Sequence, residues 1–260
     1  MNGEWATPPA RLTLADGEVH VWLAHFPGAR ESVGQLAHVL SSDERDRAEK
    51  FHSTGHRERW QMTRGILRHL LGRYLEMVPR EIAFDYGAHG KPRLKQPVNS
   101  GLHFNASHSG DYAVLAFTRA GEVGVDIERV REDLARRDDI ARRFFSTSEQ
   151  QQLSALPESE RAPAFFTLWT RKEAVVKAYG TGLFGGPQQA EMGLVEPHFL
   201  SVSGAQRSTP DYWMTGLPPV SGYAGTVVVR APSCIGAFWD WRHQPCSDLE
   251  GLRGDEVTRD

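Results

Sequence analysis

Gly124-Val125-Asp126-Ile127-Glu128 sets two carboxylates two residues apart, interleaved with aliphatic side chains. On a strand, residues two apart share a face, so Asp126 and Glu128 stand together while Val125 and Ile127 turn to a core. Adjacent like charges repel unless a cation lies between them. A third acid, Glu173, sits in Trp169-Thr170-Arg171-Lys172-Glu173-Ala174, inside a strongly helical run. Three oxygen donors with no histidine or cysteine beside them suit magnesium, or manganese, better than zinc. The plainer alternative is that Asp126 and Glu128 pair with arginines such as Arg129 or Arg131. Glu173 and Lys177, four apart, share a helix face. They either form a surface ion pair of little worth, or the acid holds metal or takes a proton while the lysine neutralises a phosphate.

Other groups could meet the same anion. His108, between Ser107 and Ser109, falls at the tip of a predicted hairpin, where hydroxyls and an imidazole can bind phosphate. A Ser-His-Asp hydrolase is a poor competitor: there is no G-x-S-x-G elbow, and Ser107 and His108 are neighbours in sequence. Lys91 is pinned between Gly90, which allows close ligand approach, and Pro92, which stiffens the loop. Arg47, Lys50 and Arg59 are scattered, and each taken singly reads as a solvated charge. No Walker or Rossmann phosphate loop is present.

The elements that must carry these residues can be read from periodicity. Glu18 to Phe26 alternates as a strand. A short helix is expected from Ser32 to Leu40, and Ser41 to Glu44 is a capping box opening a second through Phe51. A long helix is predicted from Arg57 to Met77, with Trp60, Leu67, Leu71 and Tyr74 on its core stripe and Arg59, Arg64 and Arg68 off it. Ile82 to Tyr86 reads as a strand, and Leu102–Ala106 and Tyr112–Phe117 as a hairpin with Ser107 to Asp111 at its tip. After the central strand, helices are expected over Asp133–Phe145, from the capping box Ser146–Glu149 to Leu156, and over Glu160–Tyr179. The last carries Phe165, Leu168, Trp169, Val176 and Tyr179 on its core face. Strands follow near His198–Val202, Tyr212–Thr215 and Tyr223–Val229, and from Ala231 the chain is expected to turn irregular.

This order predicts an α+β fold of two similar lobes meeting across a cleft, with the joint near Thr118–Gly121. The expected division is residues 1–121, 122–235 and a flexible tail, 236–260. The chain has 260 residues, 40% of them hydrophobic and 24% charged, enough for a real core. A net charge of -3 argues against a general nucleic-acid binder. No apolar run approaches the ~20 residues that cross a bilayer. The N-terminus lacks a signal pattern, so a cytoplasmic protein without a membrane partner is expected. Two cysteines, Cys234 and Cys246, predict neither a disulfide nor a structural zinc site.

Taken together, Gly90-Lys91-Pro92, Phe104-Asn105-Ala106-Ser107-His108-Ser109, Gly124-Val125-Asp126-Ile127-Glu128, Arg143-Phe144-Phe145-Ser146 and Trp169-Thr170-Arg171-Lys172-Glu173-Ala174 with Lys177 resemble the 4′-phosphopantetheinyl transferases of the surfactin-synthetase type. The resemblance covers about Leu40 to Val229, with five motifs in the family's order. It implies two α+β lobes related by a pseudo-twofold axis, with coenzyme A in the cleft. It implies magnesium-dependent transfer of the phosphopantetheine arm to a serine of an apo acyl or peptidyl carrier protein, releasing adenosine 3′,5′-bisphosphate. By position, Asp126, Glu128 and Glu173 would hold magnesium, and either Glu173 or a metal-bound water would take the serine proton. Lys177 and His108 would contact phosphates. Gly90, Lys91, Asn105 and Ser107 would line the coenzyme site, with Arg47, Lys50 and Arg59 near its adenine and 3′-phosphate. Glu44 stands where some relatives carry a basic residue.

The partner implied is a helical, acidic carrier protein, and the loop Thr181 to Met192, with Leu183 and Phe184, is the expected dock. A monomer is expected. The competing functions are a phosphohydrolase that uses the same acids with water as acceptor, and a carrier binder without turnover.

Overall fold

A computed structural model describes residues 3–29, 33–87, 89–96, 100–132, 137–180, 190–194, 199–202 and 212–241. The chain mixes helices and sheets as expected. Its first sheet takes β1 (Glu18–His25), β4 (His103–Ser109), β5 (Tyr112–Thr118) and β11 (Ile235–Asp240) in the order β11-β1-β5-β4. A second takes β6 (Val123–Arg129), β9 (Trp213–Gly216) and β10 (Tyr223–Val229) in the order β6-β10-β9. Two small antiparallel pairs complete the described strands: β2 (Ala83–Tyr86) with β3 (Pro92–Gln96), and β7 (Ala190–Met192) with β8 (Phe199–Val202).

Alternation along the strands builds three apolar layers. Trp22 and Ala24 of β1 and Ala113, Leu115 and Phe117 of β5 turn one way, toward the long helix α4 (Thr54–Leu75). Val19, Val21, Leu23, Val114 and Ala116 turn the other way and meet Val123, Val125, Ile127, Val227 and Val229 of the second sheet. Beyond that sheet, Val228 and Met214 pack with Phe165, Leu168, Val175 and Ala178 of the helix α7 (Glu158–Tyr179). The period-2 pattern of β6 thus buries its aliphatics between the sheets and hands Asp126 and Glu128 to the α7 side. Gly124 is what lets α7 come so close. A Cβ there would collide with the Ala174 carbonyl oxygen and sit 2.5 Å from the Ala178 amide nitrogen.

The short helices α1 (Phe26–Ala29), α2 (Val33–His38), α3 (Ser42–Glu49), α5 (Arg137–Phe144) and α6 (Thr147–Ala155) fill the sequence between. One local arrangement occurs twice. The buried Glu44, in the first turn of α3, accepts from the Ser41 amide at 3.0 Å and from Arg68 Nε of α4 at 2.6 Å. The buried Glu149, in the first turn of α6, accepts from the Ser146 amide at 2.7 Å and pairs with Lys172 Nζ of α7 at 2.9 Å. Both capping boxes were legible in the sequence; their pairing with a cation on the next long helix was not.

Several expectations need correction. β4 runs through Ser109 and only Gly110 and Asp111 turn, so Ser107, His108 and Ser109 lie on a strand rather than at a hairpin tip. Ser107 and Ser109 read as turn residues because the face they share meets polar groups of β6, not apolar ones, while His108 turns to the opposite face. Arg64 and Arg68 are buried although they lie off the apolar stripe, because Glu44 compensates them. Trp60 is half-buried and stands outside the core of that half, against Phe51 with ring centroids 6.0 Å apart. Tyr179 is 40% exposed and rests on Tyr212. The chain is not irregular after Ala231: β11 lies parallel to β1, with Glu18 opposite Ile235. Residues 242–260, and with them Cys246, fall outside the described residues.

Candidate active site

The acids of β6 are met from two directions. From β4, Ser107 Oγ donates to Asp126 Oδ1 at 2.7 Å, and Ser109 Oγ donates to Glu128 Oε2 at 2.7 Å. Asn105 Oδ1, on the same face of β4, accepts the Val125 amide at 2.9 Å. From α7, Lys177 Nζ lies 2.6 Å from Asp126 Oδ1, 2.9 Å from Ser107 Oγ and 3.3 Å from the Val125 carbonyl oxygen. Among the described residues the two acids are hydrogen-bonded by serines and a lysine, and Arg131 acts on Glu128 through its charge. Lys177 reaches across to Asp126 rather than closing a surface pair with Glu173.

Glu173 makes no hydrogen bond or ion pair among the described residues, yet it is half-buried. Burial raises its pKa from 4.5 to about 7; the charges of Asp126 and Glu128 push the same way and Lys177 opposes them. Glu128 is also raised, first by burial, against the pull of its Ser109 hydrogen bond. These mutual effects place the three carboxylates in one electrostatic neighbourhood.

His108 lies on the other edge of this group. Part of its ring is open, but enough protein surrounds it to lower its pKa, and Lys177, Arg59 and His56 add to the effect. Phe26 packs edge-on to it, with ring centroids 6.4 Å apart. A cavity of about 190 Å³ opens beside His108, lined by Arg47, Trp60, Thr63, Arg64, Leu67, Tyr86, Gly90, Pro92, Phe104, Asn105 and Ala106. Arg64 spans the faces of Trp60, Phe84 and Tyr86 at 5.9, 4.6 and 5.7 Å from the ring centroids, and Arg47 lies 5.9 Å from that of Trp60. Such a lining of guanidinium and aromatic faces suits a flat, anionic ligand.

Of the residues singled out from sequence, Asp126, Glu128, Glu173, Lys177, Ser107 and His108 converge, and Arg47, Gly90 and Asn105 line the neighbouring cavity with His108. Arg59 acts on His108 from the start of α4. Lys50 is exposed at the C-cap of α3. Lys91 points elsewhere. Its Nζ donates to Glu122 Oε2 at 2.8 Å and to the Val123 carbonyl oxygen at 3.1 Å, tying the Gly90-Lys91-Pro92 turn to the root of β6. Glu122 also faces His103 at 3.5 Å and Arg93 at 3.8 Å, and is lowered to about 2, chiefly by the His103 hydrogen bond. Trp60, Arg64 and Tyr86 were not expected at the cavity. The spacing of Trp60 matches the core stripe, and the Arg64 signal, a cation one turn from another on an apolar helix, is ambiguous until its partner is seen. The loop Thr181 to Met192 lies almost wholly outside the described residues.

The donor set can be tested against a metal. Asp126 Oδ2 is buried and has no hydrogen-bond partner among the described residues. Together with the Glu128 and Glu173 carboxylates it offers oxygen donors of the kind a hard divalent cation takes. Among the described residues no three His, Cys, Asp or Glu side chains already form a finished metal cage. The chemistry of this donor set fits a hard divalent cation.

Two family models match the chain: one described as the 4′-phosphopantetheinyl transferase superfamily over residues 122–227, and one as 4′-phosphopantetheinyl transferase, N-terminal, over residues 27–120. The chain is 35% identical over 241 residues to the 4′-phosphopantetheinyl transferase HetI of Nostoc sp., covering 91% of this chain and 98% of that protein. It is 36% identical over 159 residues to the 4′-phosphopantetheinyl transferase psf-1 of Bacillus pumilus, covering 61% and 65%. It is 29% identical over 157 residues to the 4′-phosphopantetheinyl transferase Sfp of Bacillus subtilis, covering 60% and 67%. Likeness along nearly all of HetI, together with the two family models, shows that the chain belongs to the 4′-phosphopantetheinyl transferase family.

Proposed function

We propose that the chain transfers the 4′-phosphopantetheine arm of coenzyme A to a serine hydroxyl of an apo acyl or peptidyl carrier protein, releasing adenosine 3′,5′-bisphosphate. The carrying observation is the meeting of Asp126, Glu128, Glu173, Lys177 and His108 where β4, β6 and α7 join. In this reading residues 1–121 hold the adenine and 3′-phosphate, residues 122–235 supply the acids and the carrier contact, and the two parts are pseudo-twofold lobes. Arg47, Arg59 and the aromatic cavity beside His108 take the nucleotide end, with Gly90, Asn105 and Ser107 along its path and Lys50 at its rim. Lys91 serves by fixing the Gly90–Pro92 turn. The lysine and histidine then face the diphosphate.

Chemically, the carrier serine Oγ bonds to the phosphorus that bears pantetheine, and the bond from that phosphorus to the bridging oxygen breaks. The bridging oxygen leaves on the adenosine bisphosphate. In the metal-free chain burial raises Glu173 to about 7, and its carboxylate is the group this reading assigns to take the serine proton. Lys177 and His108 balance negative charge on the departing oxygens. Magnesium, or manganese, held by Asp126, Glu128 and Glu173, would supply the further charge neutralisation that such a leaving group needs. The working enzyme is read as a cytoplasmic monomer without nucleic-acid or membrane partners. Among the described residues no helix is long and apolar enough to cross a membrane.

The test is mass spectrometry on a panel of apo carrier proteins incubated with the chain, coenzyme A and magnesium. The expected result is a gain equal to the arm on at least one carrier, absent in chelator. Release of bisphosphate at the same rate without any carrier would instead make the chain a phosphohydrolase.

A further inference from the structure

Ser109 closes β4, in register with neither the nucleotide cavity nor the phosphate-facing lysine, so the reading above gives it no task. Its bonding is nevertheless fully specified. The Arg129 amide donates to Ser109 Oγ at 3.1 Å, which leaves the hydroxyl proton to be given to Glu128 Oε2 at 2.7 Å. Ser107 repeats this logic one pair earlier: Lys177 donates to its oxygen, and its own proton goes to Asp126. The turn that follows Ser109 is pinned as well. Gly110 has φ 56°, and a Cβ there would strike the Tyr223 hydroxyl, which also accepts the Asp111 amide at 3.0 Å. The serine is therefore held at both backbone ends and at its side chain. Among the described residues Glu128 Oε1 accepts no hydrogen bond.

We infer that Ser109 is a positioning residue, supplied by the first sheet, that fixes one oxygen of Glu128 so that the other is presented to a divalent cation bound by the acids of the second sheet. The inference rests on the reading of those acids as cation ligands. A carboxylate already held on one oxygen loses less rotamer freedom on binding, and groups that orient a ligand in this way change metal affinity without touching the metal. The site is then completed across the joint: β6 contributes the charge, and β4 contributes the direction.

The experiment uses the full chain and Mn²⁺ alone, titrated and followed by the disappearance of the free-ion EPR signal. Ser109→Ala should weaken binding about tenfold or more, the range found when such orienting partners are removed. Ser109→Cys, nearly isosteric but a poor donor, should weaken it too, and Ser109→Thr, which keeps the hydroxyl, should restore it. Thermal unfolding of each variant in chelator separates affinity from folding. Wild-type affinity in Ser109→Ala or Ser109→Cys would overturn the inference, as would a Ser109→Thr that unfolds like wild type but binds as weakly as alanine. Glu128→Gln is the control on the underlying reading. If it binds Mn²⁺ as tightly as wild type, the acids are not the ligands and that reading fails. If Glu128→Gln is weak while Ser109→Ala is unchanged, only the role of Ser109 fails.

Discussion

The α3–α4 and α6–α7 regions are built to one plan and used differently. Each has a buried acid capping a short helix and gripping a cation on the following 22-residue helix. The cation is the fifteenth residue of that helix in both, Arg68 counted from Thr54 and Lys172 counted from Glu158. The next residue differs in kind. In α4 it is His69, buried, its Nε2 without a hydrogen-bond partner among the described residues and its pKa lowered to about 4 by burial alone. In α7 it is Glu173, half-exposed among other acids. Four residues further on stand Arg73, bonded to the carbonyl oxygen of Ala10, and Lys177, bonded to Asp126. The frame is the same, so the two regions differ in the residue beside it: a buried imidazole in one, a carboxylate among other acids in the other.

That contrast can be broken most sharply at the paired positions. Glu173→Gln should lower transfer to a carrier protein by about 10³-fold, in the range for loss of a general base. His69→Gln should leave the transfer rate near wild type in the same assay. Loss of activity from both would deny the division of labour.

The frames themselves come next. Glu44→Gln strands two buried arginines, and Glu149→Gln strands one lysine. Breaking a buried pair costs about 3–5 kcal/mol, so denaturant midpoints should fall clearly in both. Glu44→Gln should fall further, because Arg64 Nε also lies 2.6 Å from the Glu44 carboxylate, though off the line of a hydrogen bond. Equal losses would mean that Arg64 is held by its aromatic neighbours instead.

The two perturbed acids at the joint should respond to pH in opposite senses. Glu173 is raised from 4.5 to about 7 on folding, so its favourable contribution is complete below 4.5 and lost as pH rises through about 7. Glu122 is lowered from 4.5 to about 2, so its contribution is present above 4.5 and lost as pH falls through about 2. Thermal unfolding in chelator should therefore weaken between pH 5 and 8 in a way that Glu173→Gln removes and Glu122→Gln does not. A Glu173→Gln protein with an unaltered slope would contradict the assignment.

The smallest difference lies at the caps. Ser146 Oγ accepts the Glu149 amide at 3.1 Å, whereas the Ser41 hydroxyl serves Asp43, whose pKa it lowers. Ser146→Ala should cost ~1 kcal/mol by urea titration, the usual worth of an N-cap, and Ser41→Ala less. A larger loss at Ser41 would reverse that ordering.

Much of this was legible beforehand because local rules and the fold agreed. The alternation of β6 gave the face of Asp126 and Glu128, the serine boxes gave the starts of α3 and α6, and the motifs gave the family. What stayed hidden depends on contacts distant in sequence. Ser107 and Ser109 looked like turn residues because nothing local says that a polar strand face will meet carboxylates. Trp60 looked like core because its spacing matched Leu67 and Leu71, yet it lines a cavity. Lys91 kept its place in the motif while its amine went to Glu122. β11, a short edge strand shortly after Pro232, carries little periodic signal until β1 is there to receive it.

The parallel seating of β11 on β1 has a consequence for biosynthesis. The opening strand can pair with β5 once the first half is made, but its other edge waits for residue 240. A nascent chain therefore carries an open strand edge from the making of β1 until β11 emerges, the interval in which such edges invite aggregation. Truncation just before Ile235 should on this account harm solubility more than it harms the distant acids.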